Sequence, residues 1–148
     1  MPITHDVTGD ILDSRCQTLV CPVNVVGVMG KGLALDTANR YKGLLYQYRK
    51  ACSAGDLTID KLWVYRVSEK RQILCFPTKE HWRYPSKVEW IEHNLKTLAQ
   101  DYEALGIISL AMPKIGSGLG KLNWETEIRP LVYQYLKDLP IPVVVYGP

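Results

Sequence analysis

Apolar and polar positions alternate along this chain with two different periods, and the periods mark out its elements. Short apolar runs at 3–7 and 18–23 (TLVCPV) have strand character and are joined by GDILD at 9–13. From Lys31 to about Lys50, residues Leu33, Ala34, Thr37, Ala38, Tyr41, Leu44, Leu45 and Tyr48 recur at helical spacing and predict one long helix. A turn containing Ala54-Gly55-Asp56 is expected within 51–60, followed by strands at 62–67 and 72–76 that are linked as a hairpin through SEKR. Ser86 with Glu89 three residues later is a capping-box signature, and Val88, Ile91, Leu95, Leu98 and Tyr102 then form one apolar stripe. A strand at 107–111, a helix at 123–138 with a kink or late start at Pro130, and a closing strand at 141–146 complete the order. This succession predicts a single α/β domain over 1–148, a three-layer α/β/α sandwich with a central mixed sheet.

Composition changes this picture little. The chain has 148 residues, 47% hydrophobic and 22% charged, with a net charge of +3 that mildly favours an anionic partner. No apolar run approaches the roughly 20 residues of a membrane helix, and Met1–Asp6 carries no basic apolar leader, so a cytoplasmic protein is expected. Cys16, Cys21, Cys52 and Cys75 lack metal-type spacing and read as reduced core or pocket-wall residues. His5, His81 and His93 have no HxxxH relation, so no metal site is expected. A monomer is expected because no apolar surface stripe stands out.

The chemistry lies in the connections. VVGVMGKGLAL at 25–35 places Gly27, Gly30 and Gly32 between a strand and a helix start, and IGSGLG at 115–120 follows a second strand. Backbone N–H groups in such loops, with a helix N-terminus, cradle phosphate. Two of them in one small domain suggest a diphosphate gripped from both sides; the plain alternative for the first is a turn before a helix. The order is neither GxxxxGK[ST] nor GxGxxG, which disfavours a nucleoside triphosphatase and a dinucleotide dehydrogenase. Lys31 either assists the phosphate or is a solvated charge. Asn24 suits ribose hydroxyls or anchors an Asx-type turn, and Asp10 accepts from an adenine amino group or caps the short helix after it. Ser117 is outside a GxSxG elbow, which argues against a hydrolase nucleophile and leaves its hydroxyl to donate to a phosphate.

The loop FPTKEHWRYPS at 76–86 is the richest. Trp82 and Tyr84 suit base stacking, and Arg83 suits a polynucleotide phosphate. Equally, Trp82 packs down as a lid anchor and the charges face water. Lys79, partly withdrawn from water near an electrophilic sugar carbon, would lose its proton and act as a nucleophile, with Glu80 holding or deprotonating it.

Together TGDI (8–11), VCPVNVVGVMGKGLAL (20–35), FPTKEHWRYPS (76–86) and MPKIGSGLGKLNW (112–124) resemble the macrodomain family. The resemblance is to the branch holding the terminal ADP-ribose glycohydrolases and the antitoxins that remove ADP-ribose from DNA. It implies that Asp10 and the Ile11 backbone hold adenine, that Asn24 meets the distal ribose, and that Tyr146 borders the adenine or proximal ribose. The backbone of Gly27, Val28, Met29, Gly30, Lys31 and Gly32 would wrap the distal ribose and diphosphate on one side, and Ser117, Gly118, Leu119 and Gly120 on the other. Lys79 matches the lysine that engages C1″ of the distal ribose. Trp82, Arg83 and Tyr84 would contact DNA. Gly120 stands where the protein-directed glycohydrolases carry an aspartate, which favours the DNA-directed type. The implied function is hydrolysis of the N-glycosidic bond between ADP-ribose and thymidine in single-stranded DNA, reversing a cognate toxin's modification. ADP-ribose would be ligand or product, with no cofactor. The alternatives are a glycohydrolase of ADP-ribosylated protein carboxylates or small derivatives, and a non-catalytic ADP-ribose reader.

Overall fold

A computed structural model describes residues 3–147. Six strands form one sheet: β1 (Ile3–Val7), β2 (Thr18–Asn24), β3 (Trp63–Ser68), β4 (Arg71–Lys79), β5 (Leu110–Met112) and β6 (Val143–Tyr146), in the order β1-β6-β5-β2-β4-β3. All neighbours pair parallel except β3, which runs antiparallel to β4. Alternation along the inner strands serves two cores. Leu19, Cys21 and Val23 of β2, with Ile73 and Cys75 of β4, face α1 (Gly32–Arg40) and α2 (Leu44–Ala54). Val20, Leu74 and Phe76 face α3 (Val88–Asp101) and α4 (Arg129–Leu136), where Ile91, Leu95, Leu98, Val132 and Leu136 are buried. The result is the helix–sheet–helix sandwich with a mixed sheet that the sequence pattern implies.

Several boundaries differ from the pattern, each for a physical reason. The helix expected over 31–50 is two helices, broken at 41–43. A Cβ on Gly43 would collide with the Tyr65 hydroxyl, so β3 approaches the chain where only glycine fits, and Tyr41 leaves helical geometry at φ −116°. The second helix then runs to a left-handed cap at Gly55, φ 78°. β4 continues through Pro77 to Lys79. Its pairing with β2 slips between Val23↔Pro77 and Asn24↔Lys79, a bulge beside the residue that has no N–H to donate.

Ser86 does not cap α3. That helix begins at Val88, and the Ser86 N–H instead donates to the Gly120 carbonyl at 3.0 Å. The last helix starts late, as Pro130 suggests. A π-helical turn, Trp124–Ile128, precedes it, and the Asn123 side chain accepts from the Thr126 N–H at 3.0 Å. Pro130 then occupies the first turn of α4, where a missing N–H costs nothing. The four cysteines are free thiols, and desolvation pushes the buried Cys21 up to about 12, which leaves it inert. Among the described residues no helix is long and apolar enough to cross a membrane.

Candidate functional site

Because β1, β6, β5, β2 and β4 are parallel, their carboxyl ends open along one edge of the sheet, the usual place for a ligand in such folds. A cavity of about 510 Å³ lies there between the loops that leave β2 and β5. Asn24, Val28, Lys31, Gly32, Lys79, Trp82, Arg83, Gly118, Leu119 and Gly120 line it, so the structure brings together residues from all three quoted loops.

The first loop is shaped by Asn24. Its side-chain oxygen accepts from the N–H groups of Val26 (3.2 Å) and Val28 (3.3 Å), while its amide nitrogen donates to the Val28 carbonyl at 2.8 Å. The Asx-type reading therefore describes its geometry. Beneath it, the Tyr48 hydroxyl lies 2.6 Å from the Asn24 carbonyl oxygen, to which it donates, and 2.9 Å from the side-chain oxygen. Met29 drops into the core. Gly27, at φ 91°, packs over Arg49, whose Nε donates to its carbonyl at 3.1 Å. Neither side chain position faces the cavity. Lys31 precedes α1 without any side-chain cap, which leaves the first-turn N–H groups of α1 at the cavity wall, where Gly32, Leu33 and Ala34 lie.

The second loop is packed from below. Gly116 adopts φ +77°, and a Cβ there would stand 2.5 Å from the Ile91 Cδ1. At Gly120 a Cβ would stand 2.6 Å from the Gly116 carbonyl oxygen and would strike the Ser86 hydroxyl. The Ser117 hydroxyl donates to the Lys114 carbonyl at 2.5 Å. Gly32 and Leu119 face one another from the two loops, since a Cβ at Gly32 would lie 3.8 Å from Leu119 Cδ1.

Lys79 ends β4 between these loops. It is 8% exposed, and its ammonium donates to the Trp82 carbonyl at 2.8 Å and the Leu119 carbonyl at 3.1 Å. Burial pushes its pKa below the ordinary lysine value of 10.5, and the positive charge of Lys121 pushes the same way.

A model of the macro domain family matches residues 20–129. The chain belongs to the macro domain family. It is 40% identical over 144 residues, 95% of its length, to a DNA ADP-ribosyl glycohydrolase of Mycobacterium tuberculosis, of which it spans 41%. The macrodomain of Thermus aquaticus DarG superimposes with a TM-score of 0.90 at 37% identity, covering 99% of this chain and 98% of that one. Thermosipho africanus DarTG, solved in complex with ADP-ribose, gives a TM-score of 0.90 at 39% identity, covering 95% of this chain and 40% of that one.

In this macro domain the cavity wall carries Lys31, Lys79, Arg83, Lys114 and Lys121 and no aspartate or glutamate. Lys114 is steadied by Asp6, 3.2 Å away at a bulge in β1 with φ 56°. Lys121 also sits in left-handed backbone, φ 63°. Sequence reasoning passed over both lysines; their places flanking the second loop were the available signal. Tyr48 gave no signal, since it falls on the apolar stripe of a helix.

Asp10, Ile11, Gly27, Met29, Gly30, Tyr84, Ser117 and Tyr146 lie outside the cavity wall. The Asp10 carboxylate caps the turn that follows it, accepting from the Leu12 N–H at 2.9 Å. Ile11 is buried, and Tyr146 packs against the same cluster at the end of β6, near the chain's exit from β1.

Proposed function

We propose that this macro domain removes ADP-ribose from a nucleobase of single-stranded DNA, with Lys79 as nucleophile. The observation that carries the reading is Lys79 itself: a buried amine with a depressed pKa, at the end of a central strand, between two glycine loops in an otherwise cationic cavity. The names of the relatives, a DNA ADP-ribosyl glycohydrolase and the macrodomain of DarG, support it. In this proposal the loop backbones and the open N-terminus of α1 hold the diphosphate. Asn24 acts through the shape it gives the first loop and at the distal ribose. Asp10, Ile11 and Tyr146 stand at the adenine end, and Trp82, Arg83 and Tyr84 meet DNA. A cognate ADP-ribosyltransferase is the proposed biological partner, prompted by the fusion of both activities named in a Thermosipho africanus relative.

The neutral Lys79 amine adds to C1″ of the distal ribose as the C1″–N bond breaks, its electron pair leaving with the base. The base takes the proton that Nζ gives up. Opening of the ribose ring passes the second Nζ proton to the ring oxygen and leaves an imine, which water hydrolyses to free ADP-ribose and lysine.

Turnover of an ADP-ribosylated oligonucleotide beside an ADP-ribosylated peptide tests this. Lys79→Ala should lower release from the oligonucleotide by roughly 10³-fold or more while free ADP-ribose still binds. Release by Lys79→Ala at the wild-type rate defeats the proposal, and turnover confined to the peptide reassigns the substrate. A second reading, ADP-ribose binding without turnover, is favoured by the two carbonyls that hold the Lys79 ammonium. Borohydride trapping separates the two, because only the nucleophilic lysine yields a reduced covalent adduct.

A further inference from the structure

The turn from β4 to α3 leaves two large rings in water: Trp82 is 50% exposed and Tyr84 60%. His81 holds them in place. Its Nδ1 accepts the Arg83 N–H at 3.1 Å, and its carbonyl accepts the Tyr84 N–H at 3.2 Å. Its ring centroid lies 5.2 Å from that of Trp82 and 5.5 Å from that of Tyr84. The Arg83 guanidinium stands 5.6 Å over the Trp82 ring. An acceptor nitrogen placed this way closes the turn as an asparagine side chain closes an Asx turn, while the imidazole adds a flat face between its neighbours.

We propose that His81 is the positioning residue of a base-stacking platform, on which Trp82 and Tyr84 receive the unpaired bases flanking a modified nucleotide in a single strand. This rests on the reading of a DNA-linked substrate. Charge and shape select that occupant. Beside Lys79, the adjoining cavity wall carries Lys31, Arg83, Lys121 and the Asp6-paired Lys114, and no carboxylate of its own, which suits a polyanion. Exposed rings suit bases whose faces are free, as they are in a single strand and not in a duplex. An acidic peptide supplies the charge without the faces. Trp82 lines the cavity and Tyr84 does not, so the platform leads outward from the mouth, the way a flanking nucleotide leaves.

The test uses an unmodified thymidine oligonucleotide, read by tryptophan fluorescence quenching and by anisotropy, with calorimetry of ADP-ribose alongside. His81→Ala should weaken oligonucleotide binding roughly tenfold and ADP-ribose binding far less, because the rings it frees, Trp82 and Tyr84, are half or more exposed and only Trp82 reaches the cavity wall. His81→Asn, which keeps an acceptor for the Arg83 N–H, should recover part of the loss. On ADP-ribosylated substrates, wild-type KM should fall as the oligonucleotide lengthens, and His81→Ala should remove that length dependence. Oligonucleotide binding by His81→Ala at wild-type strength overturns the proposal. So does His81→Asn no better than alanine, or an equal loss on a modified peptide. A wild-type protein that binds the oligonucleotide through His81 yet cleaves nothing keeps the platform and defeats the function. Cleavage of modified DNA with a KM indifferent to His81 does the reverse.

Discussion

With the Gly116 carbonyl 2.6 Å from where a Cβ at Gly120 would lie, the second loop has no room for a carboxylate at that position. The packing also fixes Leu119, whose carbonyl holds Lys79. Gly120→Ala should therefore cost about 1–3 kcal/mol, the usual penalty of overpacking, read as a lowered denaturation midpoint. Lys79 makes a second prediction, through pH. Its charged form is disfavoured by burial and then by Lys121, so the folded state binds the proton less tightly than the unfolded chain does. Stability then rises as pH climbs from the folded pKa of Lys79 toward 10.5, where the unfolded lysine also deprotonates. Lys79→Met should flatten that rise in denaturation curves taken across alkaline pH. The same group should set the activity profile: release of ADP-ribose should increase with pH, with its inflection below 10.5. Lys121→Gln should move that inflection upward, and an unmoved inflection would show that Lys121 does not act on Lys79.

At the scale of elements, the loop after β2 hangs on a buried pair from one helix and one strand, Tyr48 of α2 and Asn24 of β2. The Tyr48 hydroxyl of α2 serves the Asn24 carbonyl and side chain, and Asn24 in turn sets Val26 and Val28. Tyr48→Phe strips the donor from a buried carbonyl and should cost about 1–3 kcal/mol. It should also weaken ADP-ribose binding severalfold by calorimetry, although Tyr48 never touches the cavity. The elements that sequence pattern captured are those with the plainest signal: the α3 stripe at Ile91, Leu95 and Leu98, and the apolar runs that became β2 and the first part of β4. Pattern failed where a tertiary contact decides. Nothing local to Gly43 says that Tyr65 of β3 will press against it. Pro77 reads as a strand end, yet the bulge beside it carries β4 on to Lys79. Ser86 and Glu89 spell a cap, but the Ser86 N–H is drawn to Gly120, 34 residues on in sequence. The glycine loops and Lys79 were legible because backbone freedom and a lone lysine among aromatics are local signals. Lys121, Lys114 and Tyr48 act through partners that only folding supplies.

Taken whole, the molecule opens its cavity at the carboxyl ends of its parallel strands. Its net charge is only +3, but five of its eighteen lysines and arginines line one cavity at the carboxyl edge of the sheet. Distribution, more than total, then governs an anionic partner, since interactions beyond about 8–10 Å are screened at physiological salt. Arg83 has two candidate roles on this edge, a phosphate contact or a stack on Trp82, and ionic strength separates them. For a single strand, the slope of log K against log salt changes by about 0.7 for each phosphate neutralised. Arg83→Gln should therefore lower the slope for a thymidine oligonucleotide by about 0.7 if the guanidinium meets phosphate. If the guanidinium only stacks, affinity should fall with the slope intact. Lys70, in the β3–β4 hairpin at the amino-terminal end of β4, is the control: Lys70→Gln should change neither quantity. An equal change at Lys70 and Arg83 would mean that binding follows net charge and that the strand has no fixed path past the cavity mouth.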